Sequence, residues 1–574
     1  MPYDLAPSLR AEFELTVQRT VAAALTAEQV LPSAADLCTT LHAVVDSVVS
    51  AELRVRNARV HALQHVPPEL WCMVWTYLPV DGRFAISRVC HDWRVLALST
   101  PRLWSYVDFY TNAHKCRRSN CVECSADPRN QSSAQTNTQT RQLAGLDLRR
   151  LRLSNAASAA LAFERSAHLP ILLEITVFCE NTDGRVLIHL ASKLIRHRTR
   201  LRAMYFTSQD ISAFATFLTG CSLHNPSPSM PHFPKLIVLT LSCEESEYSC
   251  GHQRVSLPRL DVIMPNLEYL KLRDDYSWWR DSTGPGLCAL KKLHYVFFHA
   301  NQLMSVLAAC PVLDHVCFTA WGPEPSDAAT MNTPEQISRV RDLAARIPTV
   351  AIYDIVDRDV QRLRAMFADV NREEFVLSYA EAGLPATGNC AAFDIFTDIE
   401  PPFEVVCSFD EEIDDMLRVQ VEDADATRTR AVLLPLDDPK PAYTLLWSSL
   451  SPSAVSQLEV PLRMWYTMFE YLPSELPVLE HLRLVSISPD DEEDISNEIP
   501  ICHTSMPKLQ SFYLCADPDD EEVTLGMFTI ADILNSFCFP QPLPRLVLSD
   551  VILDSCLPFN PTVVAQVVSM RSYD

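Results

Sequence analysis

Glycine is scarce in this chain of 574 residues, which holds only 11, about 2% against a usual share of about 7%. The one G-x-G is Gly284-Pro285-Gly286, and neither G-x-x-x-x-G-K-[ST] nor G-x-S-x-G occurs. Phosphate-cradling loops and the nucleophile elbow need glycine for tight turns and close backbone approach, so the nucleotide enzymes and hydrolases built on them are excluded. Basic charge is also short: 48 Lys+Arg against 72 Asp+Glu leaves 48 − 72 = −24. That balance argues against nucleic acid as a partner, because neutralising phosphates needs Lys and Arg in excess. Long apolar runs are missing. The best, Val21 to Leu25 and Val74 to Val80, fall far short of the ~18 residues that signal a membrane span. A secretory signal and H-E-x-x-H are missing too, and nothing points to a Ser/His/Asp triad. The 19 cysteines form no dense framework. The expectation is a protein of the cytosol or nucleus with reduced, mostly buried thiols and no cofactor. Lys115-Cys116-Arg117-Arg118 is the nearest approach to a nuclear signal.

What remains is ordinary globular composition, 48% apolar and 21% charged. Four regions differ in pattern. Residues 8–62 read as amphipathic helices: Leu9, Phe13, Val17, Val21 and Leu25 recur every four residues. Leu37, Leu41, Val44, Val48 and Leu53 continue after a break at Pro32. Residues 64–110 are dense in tryptophan. Residues 111–142 are rich in Ser, Asn, Gln and Thr, the composition of a polar loop or disordered insertion. From 146 to 565 a short L-x-x-L-x-L strand recurs.

The clearest copies of that strand are Leu236/Leu239/Leu241 and Leu267/Leu270/Leu272. Others are Leu201/Met204/Phe206, Leu293/Val296/Phe298, Leu313/Val316/Phe318, Leu479/Leu482/Leu484 and Leu509/Phe512/Leu514. Steps of 267 − 236 = 31, 293 − 267 = 26, 313 − 293 = 20 and 509 − 479 = 30 sit in or near the leucine-rich-repeat range of about 20–29. Helical stretches such as Leu303 to Ala309 and Thr333 to Ile347 lie between copies. Strand and helix alternating at this interval imply a stacked parallel sheet with a helical outer layer; a compact mixed α/β domain is the alternative. Within 325–440, strands at Val350 to Ile355, Glu374 to Ser378, Leu417 to Val421 and Ala431 to Leu434, with a helix at Asp359 to Phe367, read as degenerate repeats. The acidic tracts Asp490 to Asp494 and Asp519 to Glu522 read as solvated loops, with a patch for a basic ligand as the alternative.

The segment Val66-Pro67-Pro68-Glu69-Leu70-Trp71-Cys72-Met73-Val74-Trp75-Thr76-Tyr77-Leu78-Pro79 begins and ends like a helix. Leu70, Met73, Val74 and Tyr77 share one apolar face; Trp71, Trp75 and Leu78 share a second. A helix apolar on nearly all sides is normally buried on all sides, and so short a piece cannot enclose this one. A partner groove or residues 8–62 must cover the rest. A second helix is expected from Asp81 to Val89, N-capped by Asp81, and a third from Asp92 to Leu98. Trp104 follows as an anchor.

These residues carry a resemblance. The stretch Pro67 to Trp104 resembles the F-box, written as Leu-Pro-Pro-Glu, Ile-Phe-x-x-Leu, Val-Cys-Arg-x-Trp and Pro-x-Leu-Trp. Pro67, Pro68, Glu69, Leu78, Val89, Cys90, Trp93, Pro101, Leu103 and Trp104 match, with Val74-Trp75 standing for Ile-Phe. Val66, Gly82 and His91 depart from the pattern, and Gly82 is expected to weaken the second helix. The resemblance covers about 45 residues. With the repeats it implies a substrate-recognition subunit of a cullin-type (SCF) ubiquitin ligase. In that picture Pro67, Pro68, Leu70, Val74, Trp75, Leu78, Val89 and Trp93 serve the interface with a Skp-family linker protein, which joins a cullin, or the small core beneath that interface. The repeats hold a target protein on their concave strand face, and no residue does bond chemistry. The alternative is a non-ligase scaffold in which these helices are an internal brace. The implied fold is an N-terminal helical segment, a three-helix F-box and an irregular leucine-rich-repeat α/β solenoid.

Two further clusters stand out. His114, Cys116, Cys121 and Cys124 supply enough soft ligands for a closed zinc site, or are free loop residues; Cys243, Cys250 and His252 are a fainter version. Arg149, Arg150 and Arg152, with Arg196, Arg198, Arg200 and Arg202, make the early array locally basic, either as a solvated face or as a patch for an acidic partner.

Overall fold

A computed structural model of the chain describes residues 66–111, 154–177, 184–208, 212–224, 232–243, 255–256, 259–272, 276–277, 287–297, 300–320, 333–367, 372–379, 391–409, 416–435, 440–487, 502–516, 523–526, 545–549, 551–554 and 567–570, with a few isolated positions. Most of the helices expected over 8–62, residues 112–142 of the polar stretch, and with them the cluster His114, Cys116, Cys121 and Cys124, lie outside the described residues. The chain divides into two compact units, residues 1–106 with 164–169, and 107–163 with 170–574.

The larger unit mixes helices with one large, mostly parallel sheet. Its strands are β1 (Tyr106–Tyr110), which begins at the unit boundary, β2 (Ile171–Val177), β3 (Leu201–Ser208), β4 (Val238–Cys243), β5 (Tyr269–Leu272), β6 (Lys292–Phe297), β7 (His315–Ala320), β8 (Thr349–Ile355) and β9 (Glu374–Tyr379). They continue as β10 (Phe403–Phe409), β11 (Met416–Asp423), β12 (Thr429–Pro435), β13 (Val455–Pro461), β14 (His481–Ile487), β15 (Ser511–Ala516), β16 (Leu546–Ser549) and β17 (Val567–Met570). These 17 strands form one ladder. Neighbours follow chain order from β1 to β9, then run β12, β11, β10, and resume with β13 to β17. The architecture is consistent with an α/β solenoid-like fold.

Register explains why the leucines recur. Met204, Leu239, Leu270, Leu293, Val316, Val350 and Phe375 stand in successive register across β3 to β9, and each is 0% exposed. One continuous apolar column is buried that no single strand could bury alone. The column also corrects the reading of one copy. Leu293 pairs with Leu270, the second residue of its copy, so the sixth strand's triplet is Leu290/Leu293/Tyr295, all buried. The steps then become 290 − 267 = 23 and 313 − 290 = 23. The error arose because Val296 also has the right spacing, but it lies on the opposite face of the strand.

Residues 403–435 are not degenerate repeats. β11 runs antiparallel to both β10 and β12, while β12 and β10 run parallel to β9 and β13. The excursion is an antiparallel meander inserted into a parallel ladder. Its tight turn is closed by Asp423: Oδ1 accepts from the Thr427 and Arg428 amides at 2.7 and 3.1 Å, and Oδ2 from the Thr427 hydroxyl at 2.7 Å. Ala426 sits at φ 51. An Asp that bonds its own backbone stabilises such turns, which lets strands pair antiparallel without a helical crossover.

The strand face opposite the leucine column is also not uniformly free. Cys317, Ala351, Val376, Met416, Ala431 and Leu433 form a second buried cluster there, with Tyr353 packed on it. The open concave surface expected along the repeats is therefore covered over β7 to β9, β11 and β12.

Scarce glycine shapes the helix ends. α4 (Ala156–Arg165), α5 (Gly184–Leu194), α6 (Ser212–His224), α8 (Ala300–Ala309), α9 (Pro334–Ala344) and α10 (Asp357–Phe367) pack along the sheet, and a short α7 (Leu260–Ile263) precedes β5. None has glycine just past its end, where a left-handed glycine commonly closes the last carbonyls. Arginines from later elements do so instead. Arg200 donates to the Phe163 carbonyl at 2.5 Å. Arg346 donates to Leu307 and, at 3.0 Å, to Cys310. Arg372, 3% exposed, donates to Phe367 at 2.9 Å, Ala344 at 3.3 Å and Ile347. A guanidinium suits this task because its donors fan out in a plane and its charge complements the negative helix end. One of the few glycines has a packing role: a Cβ on Gly220 would stand 2.9 Å from the Ile188 Cα, so only glycine lets α6 approach α5 that closely.

Candidate docking face of the three-helix unit

The smaller unit is built on α1 (Pro68–Thr76), α2 (Val80–Ile86), α3 (His91–Ser99) and a 3-10 turn, Pro101–Trp104. Pro68 opens α1 with Glu69 in its first turn, where a missing N–H and a negative charge are both favourable. The residue at the N-cap of α2 is Pro79, and Asp81 lies within the first turn, so the expected Asp81 cap is not used. α2 forms with Gly82 inside it, where a Cβ would sit 3.3 Å from the Leu78 Cβ at the α1–α2 corner. The Cys90 sulfur caps α3, accepting from the Trp93 amide at 3.4 Å. That bond gives the Cys-x-x-Trp spacing a physical meaning.

The core of this unit is aromatic. Trp71, Trp75 and Trp93 form a triangle with centroids 6.3, 5.4 and 5.2 Å apart. Phe84 packs on Trp104 at 4.8 Å, and the Trp104 Nε1–H donates to the Ala97 carbonyl at 2.8 Å. The Arg165 guanidinium covers the Phe84 and Trp104 rings at 4.5 and 4.7 Å. Burial, then the neighbouring Arg94 and Arg88 charges, push its pKa down.

Arg83 is the hub that the sequence reading missed. It is 2% exposed. Nε donates to the Leu78 carbonyl at 2.7 Å and Nη2 to Thr76 at 3.3 Å; Nη1 donates to Leu103 at 2.7 Å and Tyr106 at 2.6 Å. One side chain thus closes the end of α1 and ties it to the 3-10 turn. Only its charge and its place in α2 marked it in the sequence, and surface arginines share both.

With the core closed, α1 still shows apolar surface outward. Leu70, Met73, Val74 and Tyr77 are 49, 60, 56 and 88% exposed. Their spacing of i, i+3, i+4, i+7 makes one stripe. Val89, Val95, Leu98 and Tyr106 are also exposed, so residues 66–106 supply eight of the sixteen exposed large hydrophobics among the described residues. The stripe alone presents on the order of 500 Å², the size of the largest apolar patch on a typical soluble protein, which is often a functional one.

The structure splits the eight residues expected at an interface or in the small core beneath it. Pro67, Pro68, Leu70, Val74 and Val89 are exposed, Leu78 and Trp93 half-buried, and Trp75 buried at 2%. Trp75 therefore belongs to the core of this unit. Met73 and Tyr77, outside that set, belong to the exposed stripe. Among the described residues no cluster of three or more His, Cys, Asp or Glu could hold a metal, and no helix is long and apolar enough to cross a membrane. Of the fainter cysteine set, only Cys243 is described. Burial pushes the Cys310 and Cys407 thiols up to about 12, too high for a nucleophilic thiolate.

No protein-family model matches this chain, and no curated protein matches it. Among solved structures it is similar to the Rad7 and Elc1 complex of yeast, at 10% identity over 62% of this chain and 73% of that chain, with a TM-score of 0.21. So remote a likeness adds nothing to the argument from geometry.

Proposed function

We propose that the chain is a substrate-recognition adaptor of a cullin-type (SCF) ubiquitin ligase, in the cytosol or nucleus. In this reading α1 to α3 act as an F-box that docks on a Skp-family linker protein, and through it on a cullin. The strand-and-helix array holds a target protein. The observation that carries the reading is the outward stripe Leu70, Met73, Val74 and Tyr77 on a unit whose aromatic core, centred on Trp75, lies on the other face of α1. An apolar helix face with i, i+3, i+4, i+7 anchors is the form a partner groove receives. Function then follows from proximity: tethering two proteins raises their mutual concentration to about the millimolar range, and no residue of this chain makes or breaks a bond.

The competing reading is a scaffold without ligase partners. Mixing the purified full-length protein with a Skp-family linker and its cullin, followed by size-exclusion chromatography, separates the two. Co-elution in one complex supports the adaptor. Separate elution at micromolar concentrations rejects it in favour of the scaffold.

A further inference from the structure

Residues 184–208 carry Arg185, Lys193, Arg196, Arg198, Arg200 and Arg202 without one Asp or Glu, and 212–224 add no acid, in a chain whose net charge is −24. The fold gathers part of this charge around one cavity. α5 buries Val186, Leu187, Leu190, Ala191 and Leu194, which turns its polar side outward, and a 3-10 turn, Ile195–His197, follows. Beside this corner, at the end of α6, a cavity of about 530 Å³ is walled by Lys193, Arg196, Arg198, Thr199 and His224, with Ile195 as its apolar part.

Cations at a helix C-terminus can simply complement its dipole. Arg200 does structural work of that kind, bonding the Phe163 carbonyl and His197 Nδ1. Lys193 and Arg196 do not: among the described residues neither makes a hydrogen bond or a salt bridge. Two imidazoles near this corner are biased toward the neutral form. Burial, then Lys193, lowers the pKa of His189; burial, then Arg198, lowers that of His232. The charge that Lys193, Arg196 and Arg198 bring to the cavity persists across neutral pH.

We propose that this cavity binds an acidic peptide segment of another protein through Lys193, Arg196 and Arg198. A cavity of this volume is in the range that holds a ligand of many atoms, and a lone small anion would leave most of it unfilled. The acidity of the whole chain does not forbid this, since charges more than about 8 Å away are largely screened at physiological salt. The inference stands whether or not the chain joins a ligase.

The test is fluorescence anisotropy on the full-length protein with a labelled octaglutamate peptide, a neutral peptide bearing one phosphoserine, and inorganic phosphate as competitor. Octaglutamate or the phosphopeptide should bind at micromolar concentration and weaken as salt rises; whichever is tighter identifies the source of the negative charge. Arg196→Glu and Lys193→Glu should each weaken that binding about tenfold, the loss of one charge-assisted contact. Arg339→Glu, the same charge change at an exposed site on α9, should alter it less than twofold. The proposal is overturned if neither peptide binds below millimolar concentration, if Arg339→Glu weakens binding equally, or if phosphate competes as well as the peptides.

Discussion

Replacing Arg83 with methionine isolates the hub of the small unit. Methionine keeps most of the apolar stem and removes donors to four carbonyls, those of Thr76, Leu78, Leu103 and Tyr106. The Leu103 bond is buried and the other three are part-buried. A buried carbonyl left without a partner costs about 1–3 kcal/mol, and water can recover part of that at the partly exposed ones. Removing the guanidinium also ends the cost of desolvating it. The net loss is about 3 kcal/mol, a large share of what a small helical unit has to spare. Native-state hydrogen exchange read by mass spectrometry resolves such a loss locally. Amides of residues 68–99 should exchange roughly a hundredfold faster in Arg83→Met, while those of 455–487 stay unchanged. Arg83→Lys should recover part of the protection, because an ammonium cannot reach all four carbonyls at once. Exchange within about threefold of wild type in Arg83→Met would refute the reasoning.

Asp423→Ala should lower stability by about 1–2 kcal/mol at pH 7 through loss of the turn's hydrogen bonds, measured by urea unfolding. Burial raises the Asp423 pKa, but the bonds from Thr427 and Arg428 outweigh it and leave the pKa lowered. This contribution is therefore present above the unfolded value of about 3.9 and fades as pH falls through the lower folded value. The wild-type advantage should accordingly hold from pH 7 to 5 and shrink below about pH 4; an advantage that grows on acidification would contradict this account. Gly220→Ala should destabilise the larger unit by about 1–3 kcal/mol through overpacking of α5 against α6, and an unchanged melting temperature would show that the helices can separate freely.

The parallel ladder was legible in the sequence because L-x-x-L-x-L reports a strand buried against its neighbours, and β8 and β9 begin and end within a residue of their expected bounds. The antiparallel meander was not, because β11 and β12 carry the same apolar density as the parallel strands, and only the Asp423 turn distinguishes them. α1's two apolar faces were also legible, but not which of them faces inward. Trp71 and Trp75 form the core face because a ring triangle with Trp93 buries more surface than the Leu70 stripe could. The buried arginines were invisible. An arginine that closes helix carbonyls looks in sequence like any surface cation, and its role emerges only when a glycine-poor chain is folded and its helix ends need partners.

The central claim is that the outward stripe of α1 is a docking surface. Titration calorimetry of a Skp-family linker protein against full-length Val74→Asp and Tyr77→Asp tests it directly. Both residues are more than half exposed, so the variants should keep the fold and the wild-type exchange pattern over residues 68–99. A charge at the centre of the interface should cost at least about 2 kcal/mol, or roughly thirtyfold in affinity. Wild-type affinity in both variants would contradict the account.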